Sequence, residues 1–362
     1  MIIKIMIFAV VFISAATAAQ ADQKILRLLT WQGYAPQAVI KRFTQKTGIK
    51  VLVTRSNNED MIARLRGPGG ADFDLVQPSQ DQIAGAQMAF NIYKPLDLTK
   101  INTDLFIPGM LAMTRKYTTV NGKVYGVPYI WGASGLILDT KKAAKVKDFT
   151  DLCDRTVKGR ASYRLQRPTL IGFAFSMGLD PFAAYSNKAL YRSILKTVAK
   201  KLLSCTNNIN NYWTSGEALL NQFRSRTVLA AMAWDTGGWK LNSEKSRFTF
   251  MAPKSGALGW MDTFALPRKS HADTAAYQWI NFVMQAKIAA KITAVTGNFT
   301  ASSGADAYIN PTQKKRFLVS FPKNAMEQIH WYPPIPVGLK AFEDKILGKV
   351  KAEISRQNLA KN

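Results

Sequence analysis

The residue pair best suited to chemistry in this chain is Trp260 with Asp262, in the stretch GALGWMDTFALP (Gly256–Pro267). A carboxylate beside an indole face can hold an ammonium group by charge and cation–π attraction together. Taken alone, Trp260 serves as well in a core and Asp262 in a surface turn, so other stretches must decide. Trp31 and Tyr34 lie in WQGYAP, Ser79 and Asp81 in QPSQD, and Trp234 and Asp235 in WDTGGW. Each follows a run with strand character, which is where ligands collect in open α/β sheets. Core packing is the alternative for the aromatics, and a cap on the following turn is the alternative for Asp235. Arg164, Arg167, Arg224 and Arg226 are near such loops in sequence, where a guanidinium can grip a carboxylate through two parallel bonds. Arg167 is the first of these to test, with a solvated surface role as its alternative.

Catalytic chemistry has few candidates. His271 and His330 are the only histidines, and there is no G-x-S-x-G, P-loop or cysteine-ligand spacing. The expectation is no enzyme, no catalytic residue, no metal site and no cofactor. Cys153 and Cys205 are the only cysteines. An exported protein would accommodate a disulfide between them, and two buried free thiols are the other reading.

The elements that must position these residues follow from apolar periodicity. Lys24–Thr30 reads as a strand, Gln37–Thr47 as a helix, Ile49–Val53 as a strand, Asn58–Arg66 as a helix and Phe73–Val76 as a strand. That β-α-β-α-β order indicates a parallel sheet with right-handed crossovers. Val124–Gly135 reads as a strand leaving this first domain, with Gly132 and Gly135 giving a flexible exit. A second α/β set follows, with helices at Lys188–Ser204 and Ser215–Phe223, a strand at Thr227–Ala233, and a loop at Trp234–Trp239. One long helix is expected over Ala272–Val295, with Asp273 as its N-cap. A last helix is expected over Leu339–Ile354, followed by a frayed polar tail.

The first 21 residues carry one Lys, an apolar run and the small-residue ending Ala19-Gln20-Ala21. This pattern is that of a cleavable secretory signal peptide rather than a membrane span, so the expected location is the periplasm. The formal charge is +26, one less once Lys4 leaves with the leader. The basic residues are scattered and come without a zinc-finger or RNP-like motif, so no nucleic-acid partner is expected.

The ordered series TWQGY, DLVQPS, VPYIWGASG, AMAWD and GWMDTFALP resembles bacterial periplasmic solute-binding proteins of the spermidine/putrescine-binding group. The resemblance runs through most of the chain. It implies an α/β, two-lobed periplasmic-binding-protein-like fold (type II), each lobe a mixed, mainly parallel sheet flanked by helices, with a ligand cleft between the lobes. The expected lobes are residues 22–131 plus 262–303 and residues 132–261 plus 304–362. The implied partners are a small amine and the transmembrane permease subunits of an ABC importer, with the protein itself a monomer. The implied ligand residues are Trp31, Tyr34, Ser79, Trp234, Trp260 and Asp262, with Asp81, Asp235 and Arg167 added as candidates from the residues themselves. Trp131 and Gly132 fall in the family's crossing strand.

The chain also departs from the resemblance. Where polyamine binders place two acids at the start of a second-lobe helix, it has Arg164-Leu165-Gln166-Arg167-Pro168, and Gly33 stands where the first loop has an acid. The tyrosine expected after the Pro-Ser pair falls at Asp81, and a later one near Asn298. A polycation needs a carboxylate for each ammonium taken out of water. The resemblance therefore favours a putrescine- or spermidine-type polyamine, while the missing acids and the positive charge favour a short zwitterion such as γ-aminobutyrate.

Overall fold

The computed structural model describes residues 24–321, 325 and 327–359; the expected leader, 1–21, lies outside them. The described chain divides into two compact units, 24–130 with Met261–Ile309, and Trp131–Trp260 with the described part of Asn310–Asn362.

The first unit opens with β1 (Ile25–Thr30), α1 (Gln37–Thr47), β2 (Lys50–Arg55), α2 (Asn58–Arg66), β3 (Leu75–Val76) and α3 (Gln80–Phe90). The sheet order β2-β1-β3 is parallel, with Leu28 opposite Val53 on one side and Leu75 on the other. Both crossovers are helical, as two adjacent parallel strands require. Only Leu75 and Val76 of the expected third strand are laddered. The fully buried Asp74 before them instead accepts the backbone and side-chain N–H of Arg27. Next come β4 (Tyr93–Lys94), α4 (Pro108–Thr118), the hairpin β5 (Thr119–Val120) and β6 (Lys123–Val124), and then β7 (Val127–Asp139). All thirteen residues of β7 are buried, and the strand carries the chain into the second unit.

The second unit continues with β8 (Ala161–Tyr163), α5 (Arg167–Ser176), α6 (Lys188–Ser204), β9 (Ile209–Tyr212), α7 (Gly216–Arg224), β10 (Ala230–Trp234), α8 (Asp235–Glu244) and β11 (Phe248–Met251). The chain then enters β12 (Leu258–Phe264), whose last four residues belong to the first unit. In the first unit follow β13 (Leu266–Pro267), α9 (Asp273–Val283), α10 (Ala286–Thr296) and β14 (Phe299–Thr300). In the second come α11 (Pro311–Ser320), β15 (His330–Trp331) and α12 (Leu339–Leu359). Neighbouring strands run β15-β12-β7-β10-β8-β9, with β11 and β14 also paired to β7.

Four expectations are corrected. Trp234–Trp239 is not a loop: α8 starts at Asp235. Its glycines permit close packing, since a Cβ on Gly238 would sit 2.5 Å from Cβ of Phe250. Ala272–Val295 is two helices, because Gln285 is extended (φ −63°, ψ 130°) and its carbonyl starts α10 by accepting from Ile288 and Ala289. Asp273 is not an N-cap: it is the first residue of α9 and holds Lys94 Nζ at 2.8 Å and the Ser270 hydroxyl at 2.6 Å. The last helix also continues past Ile354 to Leu359 where a frayed tail was expected.

The first unit has an aromatic cluster in which Phe43 meets Trp279 edge-on at 5.0 Å. The second has a larger core in which α6 and α12 bury Tyr191, Val198, Leu202, Ile346 and Val350. Cys153 and Cys205 form a disulfide, with Cα atoms 5.0 Å apart. It pins the C-terminal end of α6 to the turn Phe149–Cys153. Closing a loop of this length stabilises a fold by about 2–4 kcal/mol, by the chain-entropy account. Reduction, or Cys153→Ser with Cys205→Ser, should lower the unfolding free energy by about that amount in urea titration; full alkylation of the native protein without reductant would contradict the bond.

Candidate functional site

Within the first unit, the return of β12 brings Asp262 beside the loop after β3. Ser79 and Asp262 form an isolated antiparallel bridge, and the backbone N–H of Thr263 donates to the Pro78 carbonyl at 2.9 Å. The Asp262 side chain is 3% exposed, and two hydroxyls hold it. Tyr34 Oη donates to Oδ2 at 2.6 Å and Ser79 Oγ donates to Oδ1 at 2.6 Å. Each hydroxyl is itself placed by a neighbour. Tyr34 follows the left-handed turn at Gly33 (φ 86°), and its carbonyl accepts Tyr129 Oη at 2.6 Å. Ser79 is clamped by Asn58, which donates Nδ2–H to the hydroxyl at 3.0 Å and accepts the Ser79 backbone N–H at 2.9 Å. Trp31 donates its indole N–H to the Gln77 carbonyl at 2.8 Å, which fixes the ring two residues before Ser79.

Burial pushes the Asp262 carboxyl up to about 7, against the two hydroxyl bonds, and the like charge of Asp81 adds to the rise. Asp81 lies in the first turn of α3, where the helix dipole favours an anion; it is 7% exposed and accepts from Gln82 Nε2 at 3.0 Å. Two carboxylates near one another in a buried setting attract a cation. The first unit thus brings Tyr34, Ser79, Asp81 and Asp262 together, with the Trp31 ring fixed two residues before Ser79.

The second unit has a different character. Asp235, 1% exposed, begins α8 and accepts the backbone N–H groups of Ala133 at 2.8 Å and Thr236 at 2.7 Å. Its carboxyl is pushed up to about 7 by burial, against those bonds. Trp234 meets Trp213 edge-on at 5.1 Å, and the Arg164 guanidinium lies 4.9 Å from the Trp234 ring centre and 5.0 Å from that of Trp213. Trp213 is anchored by its indole N–H to the Met232 carbonyl at 3.0 Å. Trp260 packs against the second core, and its buried Nε1 has no hydrogen-bond partner among the described residues. Arg167 pairs with the buried Glu343 at 3.1 Å, donates to Tyr185 Oη and lies 4.8 Å from the Tyr332 ring centre. Arg224 is committed to Glu217 and Glu244, each at 2.7 Å, and the Arg226 carbonyl accepts from Arg160.

Asn58, Tyr129 and Trp213 were not singled out in the sequence. Asn58 and Tyr129 act through residues distant in the chain, so no local spacing marks them. Trp213 follows the strand β9 and could have been found by the argument that found Trp31.

Two α/β units, each completed by a segment that returns from the other, define the class: a two-lobed periplasmic-binding-protein fold. The chain belongs to the bacterial extracellular solute-binding protein family, whose shared pattern matches residues 38–317. Its similarity to the spermidine/putrescine-binding periplasmic protein 1 of Haemophilus influenzae is 25% identity over 335 residues, 91% of this chain and 89% of that one. Among solved structures, it resembles the spermidine/putrescine ABC transporter substrate-binding protein PotD of Streptococcus pneumoniae at a TM-score of 0.76 and 19% identity, covering 91% and 99% of the two chains. A GABA receptor of the same fold gives a TM-score of 0.68 and 17% identity, covering 91% and 97%. The family is one of binding proteins, and the chain is a binding protein rather than an enzyme.

The raised carboxyls set a sign for pH dependence. Asp262 and Asp235 hold protons in the folded state up to about 7, whereas an unfolded chain releases them near 4. The folded state thus binds more protons between these values, and stability falls as pH rises through that window. Asp262→Asn and Asp235→Asn should each flatten the fall, measured by urea titration from pH 4 to 7. An unchanged slope in both would contradict the protonated state.

Proposed function

We propose that this protein is the periplasmic solute-binding component of an ABC importer, and that its ligand is a small amine of the putrescine/spermidine type. The observation that carries the ligand class is the Asp262 carboxylate, buried, oriented by Tyr34 and Ser79, and close to a second acid, Asp81. An ammonium group placed there replaces a buried proton with a fixed cation and turns a costly charge into a paired one. Trp31, Trp234 and Trp260 supply faces for the ligand's methylene chain and for cation–π attraction. The proposed site lies in a cleft between the lobes, bounded near 22–131 plus 262–303 and 132–261 plus 304–362, with closure driven by ligand contacts to both. The protein works as a monomer without cofactor or nucleic acid, carries residues 1–21 as its export signal, and hands its ligand to the permease subunits.

A second reading, a zwitterion such as γ-aminobutyrate, is favoured by the guanidinium that Arg164 places beside the rings of Trp213 and Trp234.

Calorimetry with putrescine, spermidine and γ-aminobutyrate tests both readings. Binding of the diamine or triamine supports the first, a response to γ-aminobutyrate alone selects the second, and silence from all three removes the amine class. Asp262→Asn should cost at least about tenfold in affinity, the low end for a charge-assisted hydrogen bond. The Asp262 proton adds a pH signature. Amine binding should release a proton below pH about 7, and affinity should fall by up to about tenfold per pH unit on acidification. Binding enthalpy that is independent of buffer ionisation at pH 6 would contradict this.

A further inference from the structure

The helix α6 has the sequence KALYRSILKTVAKKLLS, with five basic residues and no acidic one. Its apolar face, Tyr191, Ile194, Leu195, Val198 and Leu202, is buried. Lys188, Arg192, Lys196 and Lys200 recur every fourth position, and all four are exposed. That spacing places them in one row along the helix, about 6 Å apart and about 18 Å from end to end. A single helix that concentrates like charge pays for it in self-repulsion, and here no acid on the helix relieves it.

The row continues onto a second helix. The Arg192 guanidinium lies 5.3 Å from the ring centre of Phe342 on α12. Lys345 and Lys349 follow Phe342 by three and seven residues, the spacing of one helix face, and both are exposed. The nearby acids of α12, exposed Asp344 and half-buried Glu353, are engaged on that helix: Asp344 pairs with Lys340 at 3.3 Å and Glu353 with Arg356 at 2.8 Å. Leu190, 51% exposed, stands two residues from both Lys188 and Arg192.

We infer that this basic row on α6 and α12 is an electrostatic docking surface for an anionic phospholipid bilayer. At 3.6 residues per turn the row winds by about 120° around the helix from Lys188 to Lys200, spreading flexible cations over a convex surface rather than around a small anion. It suits a plane of diffuse negative charge, where each basic residue near the surface adds about fivefold to binding. A family member that delivers solute to a membrane protein works next to such a plane, and a surface of this kind keeps it there between deliveries. The inference rests on family membership and on the second unit alone; it does not depend on which amine is bound.

The test is flotation of the exported, leader-free protein with vesicles of phosphatidylglycerol and phosphatidylethanolamine, and with vesicles of phosphatidylcholine alone. Binding is expected on the anionic vesicles only, weakening steeply with salt. Replacing Lys188, Arg192, Lys196 and Lys200 with Gln should weaken it roughly 600-fold, with the urea midpoint and ligand binding kept. A control variant removes the same charge from the first unit at Lys41, Arg42, Lys46 and Lys50, which are exposed, and should keep most of the binding. No binding of the parent protein, or equal loss in the two variants, overturns the inference. So does binding to double-stranded DNA as tight as to the vesicles at the same salt and lost with the same α6 variant, since the surface would then be a general polyanion site.

Discussion

The first unit depends on one constraint, the burial of the Asp262 carboxylate. Taking an ionised carboxylate out of water costs several kcal/mol unless hydrogen bonds and a counter-charge offset it. Here hydroxyls supply the hydrogen bonds, and among the described residues no cation pairs with it. Two hydroxyls reach the two oxygens, each hydroxyl is held by a second group, and burial still drives the carboxyl to about 7. The turn at Gly33, the Asn58 clamp and the return of β12 can all be understood as means of holding that group in place.

The second unit solves its own buried acid differently. Asp235 is satisfied by backbone N–H groups at the start of a helix, where the dipole favours negative charge. Near it the side chains are aromatic and basic, with Arg164 beside two indoles. The two units thus contribute unlike chemistry: carboxylates and hydroxyls in the first, ring faces and a guanidinium in the second.

Much of this was legible in the chain. The crossovers of the first unit follow from apolar periodicity ended by Gly48 and by Gly67-Pro68, and the residues at the strand ends fell where that pattern put them. The failures have physical causes. The Gly237-Gly238 pair suggests a loop by local propensity, yet Phe250 packs against that backbone and makes glycine a requirement of the helix. The break at Gln285 is invisible to periodicity, because α9 and α10 are both apolar on a 3.6-residue repeat. Its cause is distant: Ser302 Oγ donates to the Met284 carbonyl at 2.7 Å. Asn58 was missed because its partner is 21 positions away.

The 228 positions between Tyr34 and Asp262 also bear on time. Closing so long a loop is entropically costly before any contact rewards it, and domains rich in such contacts fold slowly. Val76 cannot gain its neighbour Ala265 until more than two-thirds of the chain has been made. The first unit therefore stays unfinished through most of synthesis.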